Sequence, residues 1–574
     1  MNKDNCLELP KEEEMFLHGH EKAYLQGLKT LERIGFAKKL WAKDPALWKN
    51  EPQHQKIIKN SLGWLFVADK VLENLDELLN FTEEVKKDGV EQLLLLGIGG
   101  SSLAPELFRL SLPVKPGFPK LYVLDSTDPD WISEVETSLR LDKTLFIFAS
   151  KSGTTIEPLS FFNYFYNRVK ENGNQFVAIT DQGTFLENLA KEKGFRKIFL
   201  NPGDIGGRFS ALSYFGMVPA ALSGMNVKEL LKSAKKMGSL CAAHVPLKEN
   251  PAVRLGLFLG ELAKLSLDKV TLALPQELEA FGLWIEQLIA ESSGKEGKGI
   301  VPIAGESFTA NKNYTEDRCF VAIHYKNKGE ITELESFLKN IEKKFPLLKI
   351  VLNQPEDLGG ELIRWEIATA AACALLGVNA FDQPDVQSAK DMTGTILKEL
   401  ESKGSLPRFL SHYEDEFFKI TFSDVSLQNI ELNQKNCSGL IKDFFAQINP
   451  NDYIGLLAYL PFKLSLHDEL QDLRNSLRDQ TKAATLFGYG PRYLHSTGQL
   501  HKGGANTGVF LILTQEPNKE LPIPGKKYSF KDLEMAQALG DFQALNSKGR
   551  RCLYIHLKKD ALVSIQKLKT YIIP

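Results

Sequence analysis

The chain has 574 residues, of which 43% are hydrophobic and 25% are charged. This is the composition of a globular protein that is too long for a single hydrophobic core. The formal net charge of -2 gives no positive field to attract nucleic acid, and no apolar run is long enough to span a bilayer. The N-terminus has no signal-peptide pattern, so we expect a cytoplasmic protein with two or more domains, without a nucleic-acid or membrane partner.

Residues 12–87 are charged, and their apolar positions recur at helical spacing, so we predict a helical lead-in. The pattern then changes to short apolar runs separated by helix-length amphipathic segments. This alternation is typical of a doubly wound α/β fold, in which helices cover a parallel sheet. The runs of a first sheet lie at 92–99, 120–126, 143–150, 175–180 and 197–201, and those of a second sheet lie at 269–275, 318–325 and 348–353.

The polar stretch "KELESKGSLPRFLSHYEDE" at 398–416 is the best candidate for a linker. Beyond it, buried-strand runs such as "GVFLILT" again alternate with helices, so we predict further α/β structure. The predicted division is a helical lead-in at 1–87, two α/β domains at 88–230 and 231–405, and a C-terminal α/β region at 406–574.

The six cysteines are scattered along the chain and form no CxxC pair. Two of them have a histidine nearby, but neither has a second pair of ligands close in sequence. We therefore interpret the cysteines as reduced core residues and predict no metal site.

Two loops carry residue types that suit a phosphate group. "GIGGSSLAP" at 97–105 contains Gly100 and Ser101 and follows the first strand run, and "SKSGTTIEP" at 150–158 follows the third. In open α/β sheets, ligands bind at the carboxyl ends of the strands, where the amides that open the next helix favour anions. The second loop supplies an ammonium and four hydroxyls, those of Ser150, Lys151, Ser152, Thr154 and Thr155.

Each loop alone is also what a helix N-cap or a tight turn requires. Two such loops on neighbouring strand ends, one of them with a lysine, favour a phosphate site. Neither loop has the glycine spacing of GxxxxGK[ST], which argues against a nucleotide P-loop.

Two charged residues lie in segments that suit catalysis. Arg208 follows a glycine pair in "GDIGGRFSALSYFGM", and a guanidinium beside a sugar phosphate could stabilise an anionic intermediate. Gln287 and Glu291 lie one helical turn apart and so share a face, where the carboxylate could be a general base. In isolation, a surface salt bridge for Arg208 and a solvated helix-end position for Glu291 are the alternatives.

Taken together, "GIGGSS", "SKSGTTIE", "GGRFSALS", "QLIAESSGK" and "LLGVNAFDQPDVQSAK" resemble, in order, the signature stretches of the phosphoglucose isomerase family, which is built from two sugar-isomerase (SIS) domains. The resemblance spans residues 90–390. The final third, with "FGYGPRYLHSTGQLHKGGANTGVFLILT", resembles the isomerase half of transaldolase–isomerase fusions. We expect no transaldolase half ahead of the helical lead-in.

The resemblance implies interconversion of D-glucose 6-phosphate and D-fructose 6-phosphate through a cis-enediolate, with no metal or redox cofactor. The serines and threonines of "SKSGTT" and the first serine after "GIGG" would hold the phosphate. Glu291 would move a proton between C1 and C2, Arg208 would stabilise the enediolate, and Lys390 would help to open or close the ring. Gln287 matches a glutamine that contacts the substrate.

One family feature is displaced in this sequence. The family uses a ring-opening histidine soon after the base, but "IVPIAGESFTANKNYTED" at 300–317 contains none. Short bacterial isomerases carry this histidine in an "LHSxGQ" motif, which "LHSTGQ" at 494–499 resembles. We therefore predict that His495 performs the role, with His501 as the second candidate and a structural histidine as the alternative.

Two other functions remain open from the sequence. SIS domains also serve as non-catalytic sugar-phosphate sensors, although the set of Glu291, Arg208 and Lys390 argues against that function. Isomerisation of another phosphosugar, such as mannose 6-phosphate, is the second alternative, because a phosphate loop does not read sugar stereochemistry. The resemblance also allows a homodimer, since in this family a neighbouring subunit often donates the histidine.

Overall fold

The computed structural model describes residues 13–326, 332–407, 410–432 and 436–572. Three sheets form the framework, and the first two predicted sheets are present. The strands, numbered in chain order, are β1 Glu13–Phe16, β2 Gln92–Leu96, β3 Lys120–Leu124, β4 Thr144–Ala149, β5 Phe176–Asp181, β6 Lys197–Asn201, β7 Lys269–Ala273, β8 Val301–Ile303, β9 Arg318–Tyr325, β10 Leu347–Leu352, β11 Tyr413–Glu414, β12 Phe418–Phe422, β13 Tyr453–Tyr459, β14 Ala484–Tyr489, β15 Gly508–Gln515 and β16 Arg551–Leu557.

Helices connect and cover these strands. They are α1 Glu21–Ile34, α2 Phe36–Trp41, α3 Pro52–Lys59, α4 Val67–Glu73, α5 Leu75–Lys87, α6 Leu103–Ser111, α7 Pro129–Thr137, α8 Ile156–Arg168, α9 Phe185–Glu192, α10 Tyr214–Leu222, α11 Val227–Leu240, α12 Pro251–Lys264, α13 Glu279–Ser293, α14 Glu333–Ile341, α15 Leu358–Leu376, α16 Val386–Lys403, α17 Asp424–Leu427, α18 Cys437–Phe445, α19 Leu464–Thr481, α20 Gly498–Gly503, α21 Phe530–Ser547 and α22 Ala561–Ile572.

The first sheet has the order β3-β2-β4-β5-β6, and all of its pairs are parallel. Its central strand β4 is buried along its whole length, as a strand covered by helices on both faces must be. The five predicted runs are confirmed as these strands. Because β3 and β4 lie on opposite sides of β2, the loops after β2 and β4 diverge and leave a crevice at the carboxyl edge.

The second sheet has the order β1-β10-β9-β7-β8, in which β1 pairs antiparallel with β10. The prediction that residues 12–87 are helical is therefore wrong for residues 13–16, which form β1, and the helices α1 to α5 lie in the remainder of this range. The strand is held in place by Glu13, whose carboxylate lies 2.6 Å from the guanidinium of Arg364 and 3.0 Å from that of Arg254. The short strand β8 was also not predicted, since three residues give no readable alternation.

The third sheet has the order β11-β12-β16-β15-β13-β14 and confirms the predicted α/β structure of the last third. Three of its strands, β11, β12 and β14, were not predicted. The proposed linker at 398–416 is shorter than expected, because α16 continues to Lys403 and β11 begins at Tyr413. Residues 408–409 of it lie outside the described part of the chain.

A single hydrophobic cluster joins the first sheet to the third. It contains Leu96 and Phe148 from the first sheet, Tyr459 and Leu486 from the third, and Phe542 of α21. Burial of apolar surface is the main favourable contribution to folding. The C-terminal region is therefore packed against the first sheet as part of one core.

Two further expectations concern cysteines and membrane spans. Cys241, Cys319, Cys373, Cys437 and Cys552 are buried free thiols, as predicted, and Cys6 lies outside the described residues. In the described ranges, no helix is both long and apolar enough to cross a bilayer. The same ranges contain no group of three or more His, Cys, Asp or Glu side chains placed to hold a metal ion.

Candidate active site

A cavity of about 360 Å³ opens at the carboxyl edge of the first sheet. The start of α8, one face of α16, the segment around His495 and the helix α21 form its walls. Of the residues predicted from the sequence, those that line it are Ser152, Thr154, Thr155, Lys390 and His495. The structure thus brings the proposed phosphate loop and the displaced histidine to one cavity.

The loop between β4 and α8 is shaped by Gly153 and Ser150. Gly153 has a φ of +76°, and a Cβ there would lie 2.4 Å from the Cβ of Leu186, so both the backbone and the space require glycine. The buried Ser150 hydroxyl accepts a hydrogen bond of 3.0 Å from the Gly153 amide. This turn leaves the hydroxyls of Ser152, Thr154 and Thr155 on the cavity, at the helix end that favours anions.

Lys151 of the same loop does not line the cavity. Its ammonium pairs with the carboxylate of Asp181 and donates a hydrogen bond of 3.0 Å to the carbonyl of Gly203. Its side chain is 44% exposed and faces solvent and Asp181 rather than the cavity. In this structure Lys151 neutralises Asp181, and its part in substrate binding stays a prediction.

His495 contacts a carboxylate that the sequence analysis did not select. Its Nε2 lies 2.9 Å from Oε1 of the buried Glu157, in the first turn of α8. Burial alone would raise the pKa of the Glu157 carboxyl, but the charge and hydrogen bond of His495, with the charge of Lys390, hold that pKa below its ordinary value. Glu157 follows "SKSGTTI" directly, so its place in the motif was the available signal.

Long-range contacts fix the segment that carries His495. Arg492 makes two hydrogen bonds, of 2.9 and 2.7 Å, to the carboxylate of Asp125, which follows β3 of the first sheet. Gln287 Nε2 donates a hydrogen bond of 2.7 Å to the backbone carbonyl of His495. Paired arginine–carboxylate bonds are geometrically specific, so the position of His495 is set by two other parts of the chain.

A second group surrounds Glu291 on α13. Nη1 of Arg208 lies 3.5 Å from Glu291 Oε1, and Gln287 Nε2 donates across 3.4 Å to Oε2. Arg208 is buried and also donates to the hydroxyl of Ser292 at 2.8 Å and to the amide oxygen of Gln383 at 2.8 Å. These residues are not among those that line the 360 Å³ cavity, and Gln287, through its bond to His495, joins the two groups.

The "GIGGSS" loop packs against the loop of Arg208. A Cβ at Gly100 would lie 2.2 Å from the carbonyl oxygen of Gly207, so only glycine allows this approach. The hydroxyl of Ser210 donates to the carbonyl of Gly100 at 3.3 Å. Gly100 and Ser101 do not line the cavity, so the loop supports the Arg208 group here and its contact with phosphate stays a prediction.

The other candidate histidine is a core residue. His501 is buried between the rings of Tyr453, Tyr493 and Phe510, the last at 4.8 Å. Neither of its ring nitrogens has a hydrogen-bond partner within the described residues. Burial and the nearby charges of Lys502 and Arg550 hold the pKa of His501 well below its ordinary value, which favours a neutral structural histidine.

Comparison with known proteins agrees with the motifs. The sequence model of the family "Phosphoglucose isomerase" matches residues 65–311. A glucose-6-phosphate isomerase of Cyanothece sp. is 31% identical over 57% of this chain and 71% of its own length. One of Nostoc sp. is 32% identical over 59% of this chain and 73% of its own length.

Among solved structures, a hypothetical protein of Thermus thermophilus has a TM-score of 0.56 and 24% sequence identity, covering 67% of this chain and 99% of that one. This likeness concerns the fold. The two curated relatives exceed 30% identity over more than two thirds of their own length. With the loops and the charged residues described above in place, the chain belongs to the phosphoglucose isomerase family.

Proposed function

We propose that this chain interconverts D-glucose 6-phosphate and D-fructose 6-phosphate through a cis-enediolate. The observation that carries the proposal is the contact between His495 and Glu157 at 2.9 Å, on a cavity that also holds the hydroxyls of the β4–α8 loop. Family membership gives the reaction class. The arrangement supplies an anion site, a proton donor and acceptor for the ring, and a separate carboxylate for the carbon acid.

The phosphate is bound by the hydroxyls of Ser152, Thr154 and Thr155 together with the amides that open α8. Phosphate is present in both the substrate and the transition state, so this binding anchors the molecule without itself changing the chemical barrier. Anchoring the phosphate end of the substrate holds its reacting carbons near the catalytic groups. This positioning lowers the entropic part of the activation barrier.

Ring opening is assigned to His495 with Lys390. The ring opens when a proton reaches the ring oxygen and another leaves the hydroxyl of C1. The imidazolium form of His495, beside Glu157, delivers the first proton and the C1 hydroxyl proton passes to solvent water, while the cavity-facing ammonium of Lys390 adds positive charge on the same side. Glu157 keeps the imidazole oriented through its 2.9 Å contact with Nε2.

Proton transfer is assigned to Glu291. Its carboxylate removes the proton from C2 of the open aldose and returns it to C1, while a hydroxyl proton moves between the oxygens of C1 and C2. Arg208 lies 3.5 Å from the carboxylate and can offset the negative charge that develops on the enediolate. Gln287 orients the carboxylate through its amide.

The other functions considered are less well supported. A sugar-phosphate sensor has no need of a buried Glu291 carboxylate with the guanidinium of Arg208 3.5 Å away. Mannose 6-phosphate would give the same enediolate, because C2 becomes planar in it, so the phosphate loop and Glu291 do not separate the two epimers.

A coupled assay with a panel of hexose 6-phosphates tests the proposal. We expect turnover of glucose 6-phosphate and fructose 6-phosphate, with incorporation of solvent deuterium at C2. Binding without turnover of any hexose phosphate would favour the sensor, and preferred turnover of mannose 6-phosphate would reassign the substrate.

A further inference from the structure

Gln537 lies on α21 and reaches the cavity from the C-terminal region. Its side chain is 2% exposed, and Nε2 donates a hydrogen bond of 2.7 Å to Oε1 of Glu157. This is the same oxygen that lies 2.9 Å from Nε2 of His495. One carboxylate oxygen thus takes both contacts, while Oε2 is buried and has no hydrogen-bond partner within the described residues.

The Gln537 amide is held between Thr127 and Glu157. The hydroxyl of Thr127, just beyond β3, donates a hydrogen bond of 2.8 Å to Oε1 of Gln537. If the amide were turned over, its oxygen would face the Glu157 carboxylate and two acceptors would meet in a buried site. That arrangement costs the free energy of an unsatisfied buried group, so the acceptor-only carboxylate of Glu157 selects the donating orientation, and the Thr127 hydroxyl satisfies the amide oxygen.

The helix that carries Gln537 is packed directly on the helix that carries Glu157. Phe530 of α21 stacks on Phe161 of α8 with ring centroids 5.9 Å apart, and it contacts Tyr164 edge to face at 5.8 Å. Packing of this kind holds the two backbones together independently of the polar contact. The amide therefore reaches Glu157 from a helix whose first residue contacts α8 through aromatic rings.

We propose that Gln537 is a positioning residue for ring opening, acting through Glu157 on His495. It holds the carboxylate in the rotamer that contacts the imidazole, and as a neutral amide it does so without exchanging a proton itself. The side chains of His495 and Lys390 are the ones whose charges lower the pKa of Glu157. The inference rests on the proposed isomerase function and names a residue of that site.

Crystal structures of the wild-type protein, Gln537→Leu and Thr127→Val test the positioning without any assay. We expect the Glu157 carboxylate to leave its contact with His495 or to occupy two rotamers in Gln537→Leu, and to do so partially in Thr127→Val. Thr514→Val is the matched control, because Thr514 is a buried threonine of the same region whose hydroxyl lies 3.1 Å from that of Tyr554, outside the cavity. An unchanged contact of 2.9 Å in Gln537→Leu would overturn the inference.

Kinetics of the same variants give a second readout. We expect Gln537→Leu to lower kcat for the cyclic substrate by roughly tenfold to a hundredfold, the scale of a misplaced catalytic group, with little change in KM. A hexose 6-phosphate that lacks the hydroxyls of C4 and C5 cannot close a five- or six-membered ring, so its proton exchange should stay near wild type. Equal losses on both substrates would indicate a general structural role and overturn the inference.

Gln537→Glu keeps the shape but introduces a second carboxyl group against Glu157. Two facing carboxyl groups in a buried site cannot both ionise at ordinary pH, so one pKa rises. In the pH profile of kcat/KM, we expect the midpoint of the acidic limb to shift to higher pH by about one unit or more. An unmoved acid limb would count against the inference. A wild-type enzyme that is inactive on every hexose phosphate would instead refute the proposed function, while the crystal structures would still decide where Gln537 holds Glu157.

Discussion

The two halves of the candidate site are built in different ways. The half around Glu291, Arg208 and Gln287 is assembled within residues 97–383, from loops and a helix that belong to the first two sheets. The half around His495 and Glu157 joins residues that are 338 positions apart, and Gln537 reaches Glu157 across 380 positions. The first half can be read from consecutive motifs, whereas the second exists only once the C-terminal region has packed on the first sheet.

The largest expected effect is a loss of turnover at the proton-transfer step, which is assigned to the half of the site around Glu291. Glu291→Gln should lower turnover by roughly a hundredfold to ten-thousandfold or more while substrate binding remains, because an amide cannot accept the proton. Steady-state kinetics and equilibrium binding of a phosphorylated sugar acid would measure the two quantities. Near-normal turnover of the variant would show that another group is the base.

The next effect tests the ring-opening half. His495→Ala should slow turnover of cyclic glucose 6-phosphate by about a hundredfold or more, the usual contribution of a general acid–base group. Proton exchange from the substrate without the C4 and C5 hydroxyls should stay much closer to wild type, since Glu291 is untouched. Equal losses in both assays would place His495 at the enediolate or in folding.

The phosphate anchor should act on binding rather than on chemistry. Ser152→Ala and Thr155→Ala each remove a donor to a charged group, and we expect KM to rise by about tenfold with a small change in kcat. Lys151→Met is compared with these two variants, because the ammonium of Lys151 pairs with Asp181 and does not line the cavity. A KM unchanged in both hydroxyl variants would contradict the phosphate assignment, and a raised KM in Lys151→Met would show that the lysine turns inward when substrate binds.

A smaller effect concerns pH and stability. The folded-state pKa of Glu157 lies below its ordinary value of 4.5, so its ionised form stabilises the fold above that value. This contribution is lost as the pH falls through the folded-state pKa. Compared with Glu157→Gln, the wild-type Tm should therefore fall further in this acid range, by about 1–3 °C for a contribution near 1 kcal/mol. Parallel Tm curves for the two proteins would contradict the assigned ionisation.

We expect no complementation between inactive variants, because both halves of the site come from one chain. His495 and Glu157 meet within a single chain here, so mixtures of His495→Ala and Glu291→Gln proteins should not regain activity. Specific activity of the wild type should also stay constant over about a hundredfold dilution, where a shared site would lose its partner by mass action. Recovered activity in the mixture would show that neighbouring chains exchange the histidine.

The sequence predicted those structural and functional features that depend on residues close together in the chain. The buried runs of the first sheet are long and apolar, and the loops after β2 and β4 carry their glycines and hydroxyls within a few residues, so both could be predicted. Glu291 and Arg208 were selected through their motifs, and the structure brings their side chains within 3.5 Å of each other, while their catalytic roles stay predictions. Short or mixed strands such as β1, β8 and β11 were missed, because a few residues carry no periodicity.

The contacts between distant segments could not be predicted in the same way. Glu157 lies in the first turn of α8 and Gln537 in the middle of α21, and in a sequence such polar helix residues look like many others. Their roles depend on the packing of α21 on α8 and on the burial that it creates. His495 was predicted by its motif, but the carboxylate that it contacts was not.

The antiparallel strand β1 has a consequence for how the molecule behaves in solution. Without residues 13–16, the outer side of β10 would present a row of unpaired amides and carbonyls, which readily pair with the edge strand of another molecule. Arg254 and Arg364 would lose the carboxylate of Glu13 at the same time. β1 is itself an edge strand, but its four residues offer less backbone for pairing between molecules than the six of β10, so its loss would be seen first as light scattering at high concentration rather than as a slower enzyme.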